Sequence, residues 1–354
     1  ILLAANVPDY KTGQFIATPA MLLAMLPAAV SVLPGISLSP LLALIPITNV
    51  VLTTQEVMLS SPRWGLVFLA FVITILHTGG LLWVGAKKLN QESTIFGAES
   101  STARHARGQY GPEAMGLFAL ALVLFWFLGQ ISMQWDMVSG IVFTQVFLIA
   151  LPAIAIIRWL GLPLKETLQL RRPSARDLSL AILAGCMAPS IGTLIFQAQE
   201  FLIPVSDETL SQFAESLDLD MSLGMTVLII AVFPAVCEEV LFRGAILGLL
   251  RKQLGPVARC VLVAALFGLL HLMLIRILPT ATLGLLLTAA AMRSRSLWIP
   301  IVIHLLNNGI AITLVELGGE GPESLGVPAV LMCAAVGIAA VALMGRGSET
   351  EDCP

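Results

Sequence analysis

The sequence predicts an all-α fold, a polytopic transmembrane helical bundle of about 10–11 membrane segments. Three observations carry that expectation. First, 57% of the 354 residues are hydrophobic and only 12% are charged, against about 25% charged in an ordinary soluble domain. Second, the mean hydropathy of +0.93 is concentrated in long apolar runs rather than spread evenly. Third, basic and acidic residues alternate between successive connections, as they do when a chain crosses a membrane repeatedly.

A spanning helix needs about 20 mostly apolar residues. Runs of that kind cover residues 15–34, 36–59, 64–85, 114–131, 136–159, 178–198, 223–250, 256–275, 277–292, 297–316 and 325–344. The second contains Pro40 and Pro46, and the ninth is short, so either fits a re-entrant segment as well as a crossing. Trp135 and Asp136 open the fifth, where an aromatic anchors at the interface and a carboxylate meets the positive helix end. Gly161 to Asp177 mixes proline, serine and base and reads as a surface helix or linker before the sixth. Pro234 marks a kink in the seventh. Two modules are expected, with a boundary near residue 130: a transmembrane region over 1–130 and a second domain over 131–347, followed by a polar tail over 348–354.

Charge placement orients the spans. Lys87, Lys88, Arg104 and Arg107 share one connection, and Lys165, Arg171, Arg172 and Arg176 share another two crossings later. Arg251 with Lys252, Arg293 with Arg295, and Arg346 fall on the same side. The connection from Glu200 to Ser222 carries six acids and no base, which is the opposite pattern. Only Arg63 and Arg276 violate the alternation, so the C-terminus is expected in the cytoplasm. The first residues then lie outside, and Ile1 in place of Met predicts a chain that continues upstream.

Several function classes are disfavoured. A net charge of −3 without a basic, aromatic-interleaved patch gives no sign of a nucleic-acid partner. Cys186, Cys237, Cys260, Cys333 and Cys353 show no CxxC spacing, so neither a disulfide framework nor a zinc site is expected from them.

Ionisable groups inside apolar runs are costly and therefore mark function. Glu238, Glu239 and Arg243 interrupt the seventh run, His271 closes the eighth, and His304 with Asn308 interrupts the tenth. On a helix Glu239 and Arg243 are i,i+4 neighbours and pair, whereas Glu238 points about 100° away and stays available as a base. His304 and Asn308 share one face and offer donors to a developing oxyanion. At about 1.5 Å per residue, Glu238, His271 and Asn308 sit about 16–22 Å from their cytoplasmic helix ends, with His304 about one turn nearer the cytoplasm. The plainer readings are a Glu–Arg strut between helices, a satisfied core histidine, and polar glue between helices. His77, near Gly79 and Gly80, is expected to be a packing or interface residue.

Glu238-Glu239-Val240-Leu241-Phe242-Arg243, Phe267 through His271, and His304 through Asn308 together resemble the CAAX protease and bacteriocin-processing family, the type II CAAX prenyl endopeptidases. The resemblance covers roughly residues 136–344. It implies a membrane-embedded endopeptidase in which Glu238 and His271 activate a water, His304 and Asn308 stabilise the oxyanion, and Glu239 and Arg243 support the site. Two glutamates and two histidines are also a zinc-like donor set, but the spacing is not that of a zincin helix and Arg243 would oppose a cation, so no cofactor is expected.

The first module resembles the C-terminal part of ABC-2 type permeases of the sodium-extrusion NatB kind, through Val7-Pro8-Asp9-Tyr10, Ala17-Thr18-Pro19, Leu33 to Leu38 and Ile45 to Val50. The expected setting is a bacterial-type inner membrane. Expected partners are membrane lipids, a peptide or protein substrate reached from the cytoplasm, and an ABC ATPase subunit. Two rival readings follow: the permease subunit of an exporter with a non-catalytic second half, and a peptide-binding immunity or scaffold protein.

Overall fold

The computed structural model describes residues 37–58, 62–89, 105–202, 205, 208, 210–211, 219–271, 273–318 and 321–345. Their regular structure is helical throughout, with no strand among the described residues. The first apolar run and most of the permease-like motifs lie outside them. Seven described helices are long and apolar enough to cross a membrane, and two shorter apolar helices, Pro256–Leu270 and Val327–Leu343, occupy the eighth and last runs. This is an integral membrane protein built as an all-α bundle.

Packing divides the chain at Gly108/Gln109. In the first unit the second apolar run is broken: a 3-10 turn at Leu42–Leu44 is followed by α1 (Thr48–Met58). Pro46 explains the break, because it lacks an N–H and biases its neighbour away from the helical region. Ile47 then takes a left-handed φ of 72°, costly for a β-branched side chain. Asn49 compensates. Its side-chain amide lies 3.1 Å from the Ala43 carbonyl, 3.3 Å from that of Ala70 and 3.1 Å from Thr74 Oγ1, stitching the turn to α2 (Trp64–Leu89). Glu56 and Arg63 close the α1–α2 connection with a bidentate pair at 2.6 and 2.9 Å. Asn49 is therefore buried as structure, whereas His77 is exposed and bonds the Ile73 carbonyl of its own helix.

The second unit opens with a helical hairpin. The first arm, α3, runs through Gly111–Val123, a π-helical stretch Leu124–Gly129, and Gln130–Trp135. The second, α4, runs through Met137–Phe143, a π stretch Thr144–Ala150, and Leu151–Trp159. Asp136 alone joins them, extended, and its carboxylate caps α4 by accepting from the Ser139 N–H at 2.8 Å. The Ser139 hydroxyl and backbone N–H hold the Asp136 carboxyl below the usual carboxylate range.

After a single turn at Leu164–Thr167 come α5 (Ala175–Leu202), α6, α7 (Pro256–Leu270), α8 (Leu274–Ser294), α9 (Trp298–Glu316) and α10 (Val327–Leu343). The central element is α6. It comprises Leu223–Val227, a π stretch Leu228–Val232, Phe233–Glu239, a second π stretch Val240–Ile246, and Leu247–Leu249. Leu241, Phe242 and Arg243 are fully buried. Phe118, Phe242 and Phe267 form a ladder across three helices, with centroids 6.3 and 5.1 Å apart.

Where apolar burial against lipid offers little drive, helices associate through close backbone approach at small residues. The α7–α8 crossing shows this. A methyl at Gly268 would lie 2.6 Å from the Ile277 carbonyl oxygen, and one at Gly284 would lie 3.0 Å from Ala264 Cα. Gly268→Val is therefore expected to wedge the crossing apart and destabilise by about 1–3 kcal/mol. Thermal unfolding in detergent checks it. An unchanged melting temperature would show that the crossing can slide to make room.

Candidate active site

Three helices of the second unit carry the polar groups singled out above. In α6 the segment Phe233–Glu239 ends with both glutamates, and the following π turn carries Arg243. His271 caps the end of α7, and His304 and Asn308 lie on α9.

Glu239 and Arg243 are both fully buried, and they meet at 2.7 Å between Oε1 and Nη1. Arg243 also donates to the Gly284 carbonyl at 3.0 Å and to Thr288 Oγ1 at 3.3 Å. Its guanidinium carbon lies 4.4 Å from the Phe267 ring centroid, a cation–π arrangement in a dry setting. The same Glu239 oxygen accepts from His304 Nδ1 at 2.9 Å, while Glu239 Oε2 is buried without a donor. Glu239 is thus tied to two helices at once.

Glu238 sits in a different environment. It is 5% exposed, and its Oε1 accepts from the neutral amide of Gln145 on α4 at 3.0 Å. Its second oxygen has no hydrogen-bond partner among the described residues. Arg276 and His304 lie within charge–charge reach of it. Two adjacent carboxylates therefore differ as the helical geometry requires: one is neutralised by an ion pair, the other held by an amide.

His271 Nδ1 lies 2.9 Å from the Phe267 carbonyl. A carbonyl only accepts, so Nδ1 carries the proton and the Nε2 lone pair of the neutral ring is left for another partner. The Phe267 ring separates the two histidines edge-on, with centroids 5.2 Å from His271 and 5.7 Å from His304. Arg243, His271 and His304 therefore gather around one phenylalanine, and Glu239 bonds two of them.

Asn308 is partly set apart. Its amide donates, at 3.5 Å, to the Ile230 carbonyl on α6. That carbonyl is four residues before Pro234, which has no N–H to give it. Asn308 thus brings a donor to a carbonyl that has no N–H at the i+4 position. Its Oδ1 accepts from the Asn307 amide at 3.0 Å. The bonds of His304 and Asn308 diverge, one toward Glu239 and one toward Ile230, rather than sharing a single acceptor.

Four participants were not singled out in the sequence. Gln145 is a lone amide with Thr144 in an otherwise apolar stretch, and that isolation was its available signal. Trp126 donates from its indole to the Leu270 carbonyl at 3.0 Å, bracing the end of α7 beside His271. Thr288 holds Arg243. Arg276, counted above as a loop charge on the wrong side, stands within charge–charge reach of both Glu238 and His271. Among the described residues no three His, Cys, Asp or Glu side chains form a group that would hold a metal ion.

With this geometry in place, residues 221–310 match the family model of the Rce1-like type II CAAX prenyl endopeptidases. The matched stretch contains all six of Glu238, Glu239, Arg243, His271, His304 and Asn308. Neither curated proteins nor solved structures gave a match.

Gln145 is expected to matter to this site through Glu238 alone. Gln145→Leu removes the amide that orients the carboxylate, so turnover should fall about tenfold, the scale of one positioning hydrogen bond. The Michaelis constant should be unchanged in a peptide-cleavage assay. A loss confined to substrate affinity would instead place Gln145 in substrate binding.

Proposed function

We propose that the second unit is an intramembrane glutamate-type endopeptidase that hydrolyses a peptide bond with a water activated by Glu238 and His271. The observation that carries this reading is the contrast between the two carboxylates. Glu239 is neutralised by Arg243 and bonded to His304, whereas Glu238 keeps one oxygen without a hydrogen bond and lies within charge–charge reach of His304. The similarity of residues 221–310 to the Rce1-like endopeptidases supports it independently.

In the proposed reaction a water positioned between Glu238 and the Nε2 of His271 loses a proton to Glu238 as its oxygen attacks the peptide carbonyl carbon. His304, with Nδ1 fixed on Glu239, stabilises the oxyanion from its other nitrogen. Asn308 contributes the second N–H of its amide. Glu238 then returns the proton to the amine as the C–N bond breaks. Glu239, Arg243 and Gln145 position these groups and touch no reacting atom. No cofactor takes part in this scheme.

We further propose that the basic end of the bundle faces the cytoplasm in a bacterial-type inner membrane, so that the substrate enters from that side. The first unit we read as an ABC-2 permease-like region, on the motifs given above.

Incubating purified full-length chain in lipid nanodiscs with a peptide library tests the assignment, with His271→Ala as the control variant. Turnover that persists with chelator and disappears in His271→Ala is the expected result. Tight peptide binding with no cleavage would overturn it in favour of a scaffold role.

A further inference from the structure

A cavity of about 1030 Å³ opens at the end of the second unit where α4, α6 and α8 terminate. Its walls carry Lys165, Arg171, Arg172, Arg251, Arg259 and Arg295, and a single carboxylate, Glu166. No ion pair joins any of these cations to a carboxylate among the described residues. Its floor is apolar, formed by Leu170, Leu247 and Met292.

A preference for bases at one face of a membrane accounts for the sign of these charges. It does not account for their convergence on a cavity, which costs repulsion unless an anion is drawn in. The walls are also fixed in place. Ser296 donates from its hydroxyl to the Arg171 carbonyl at 2.6 Å, and the Leu297 N–H donates to the Gln169 carbonyl at 3.0 Å. The residues at that junction, Gln169 and Arg295, both take a left-handed φ of 52°, a conformation non-glycine residues hold only where surroundings impose it. On the opposite wall Arg259 donates to the Arg251 carbonyl at 2.9 Å, while its Nε is buried with no acceptor. The backbone is thus held while the side chains of Arg171, Arg172, Arg251 and Arg295 stay exposed, and guanidinium groups suit the geometry of a phosphate.

We propose that this cavity is a binding site for a phosphate-bearing anion, with the phosphate on the arginine walls and any apolar portion of the ligand on the Leu170–Leu247–Met292 floor. The site is distinct from the Glu238 cluster and does not depend on the peptidase reading.

The test uses purified full-length chain in zwitterionic detergent, titrated with short-chain phosphatidic acid, inorganic pyrophosphate or phosphatidylcholine, with thermal stabilisation as the readout. The expected result is saturable stabilisation by phosphatidic acid but not by phosphatidylcholine. Its half-saturation should rise at least tenfold in the Arg171→Gln/Arg172→Gln/Arg251→Gln variant and rise less when the same positions become lysine, which keeps the charge but not the planar fork. Equal action of pyrophosphate identifies a site for phosphate as such, whereas action of the lipid alone identifies a phospholipid headgroup site that also uses the floor. Both outcomes support the proposal. Arg158→Gln/Arg176→Gln removes two exposed charges outside the cavity and controls for diffuse attraction. An equal loss in that control, or no saturable effect of either anion on the parent chain, overturns it. The melting temperatures without ligand show whether each variant is folded.

Discussion

Glu238→Gln is expected to lower peptide hydrolysis by about 10²–10⁴-fold, the usual contribution of a general base, while the chain remains folded. Glutamine keeps the volume of the side chain and an oxygen able to accept from Gln145, so the one hydrogen bond Glu238 makes to the protein survives. What is lost is the capacity to take a proton from water. Comparing turnover numbers and melting temperatures of the two proteins separates chemistry from folding. Wild-type turnover in this variant would remove Glu238 from the mechanism and return the site to a purely structural role.

Arg243→Met should act in the opposite sense, on stability first. Arg243 is wholly buried and links Glu239 on its own helix to Gly284 and Thr288 on α8. Removing it leaves the Glu239 carboxylate buried with His304 as its only donor, and breaking a buried pair from one side costs about 3–5 kcal/mol. Adding Glu239→Gln removes the stranded charge, so the double variant should regain a large part of that loss without regaining activity. Unfolding titrations of the three proteins in mixed micelles measure the effect. A single variant as stable as the parent would show that the pair contributes little net stability and that water or a proton relieves Glu239.

Membrane character, helix positions and the polar residues worth attention were legible because hydropathy and helical periodicity are local properties. The runs at 64–85, 136–159 and 297–316 correspond to Trp64–Leu89, the α4 stretch ending at Trp159, and Trp298–Glu316. The pairing of Glu239 with Arg243 was legible for the same reason, since four residues along a helix place two side chains together regardless of the surroundings. The second run was less so. Its prolines announced an interruption, but the side-chain amide that repairs it, Asn49, reaches residues of the following helix.

Residues far apart in sequence belong to the other category. The Gln145–Glu238 bond spans 93 positions, His304–Glu239 spans 65, and Trp126–Leu270 spans 144. No periodicity encodes such distances; they follow from which helix faces which, and from π turns that shift the facing residues of α4 and α6. Asn308 illustrates the consequence: its spacing from His304 put both on one face, yet only packing against α6 brought its amide to the Ile230 carbonyl. By itself, then, the sequence determined an all-α membrane bundle and the Glu239–Arg243 pair within it, because insertion into lipid depends on composition over about 20 residues at a time and pairing at i,i+4 on the helix alone. Only the tertiary structure decided that Glu239 is bonded to both Arg243 and His304 while Glu238 meets a neutral amide, and that six scattered bases line one cavity. Those outcomes depend on how helices pack, and packing is a property of the whole chain.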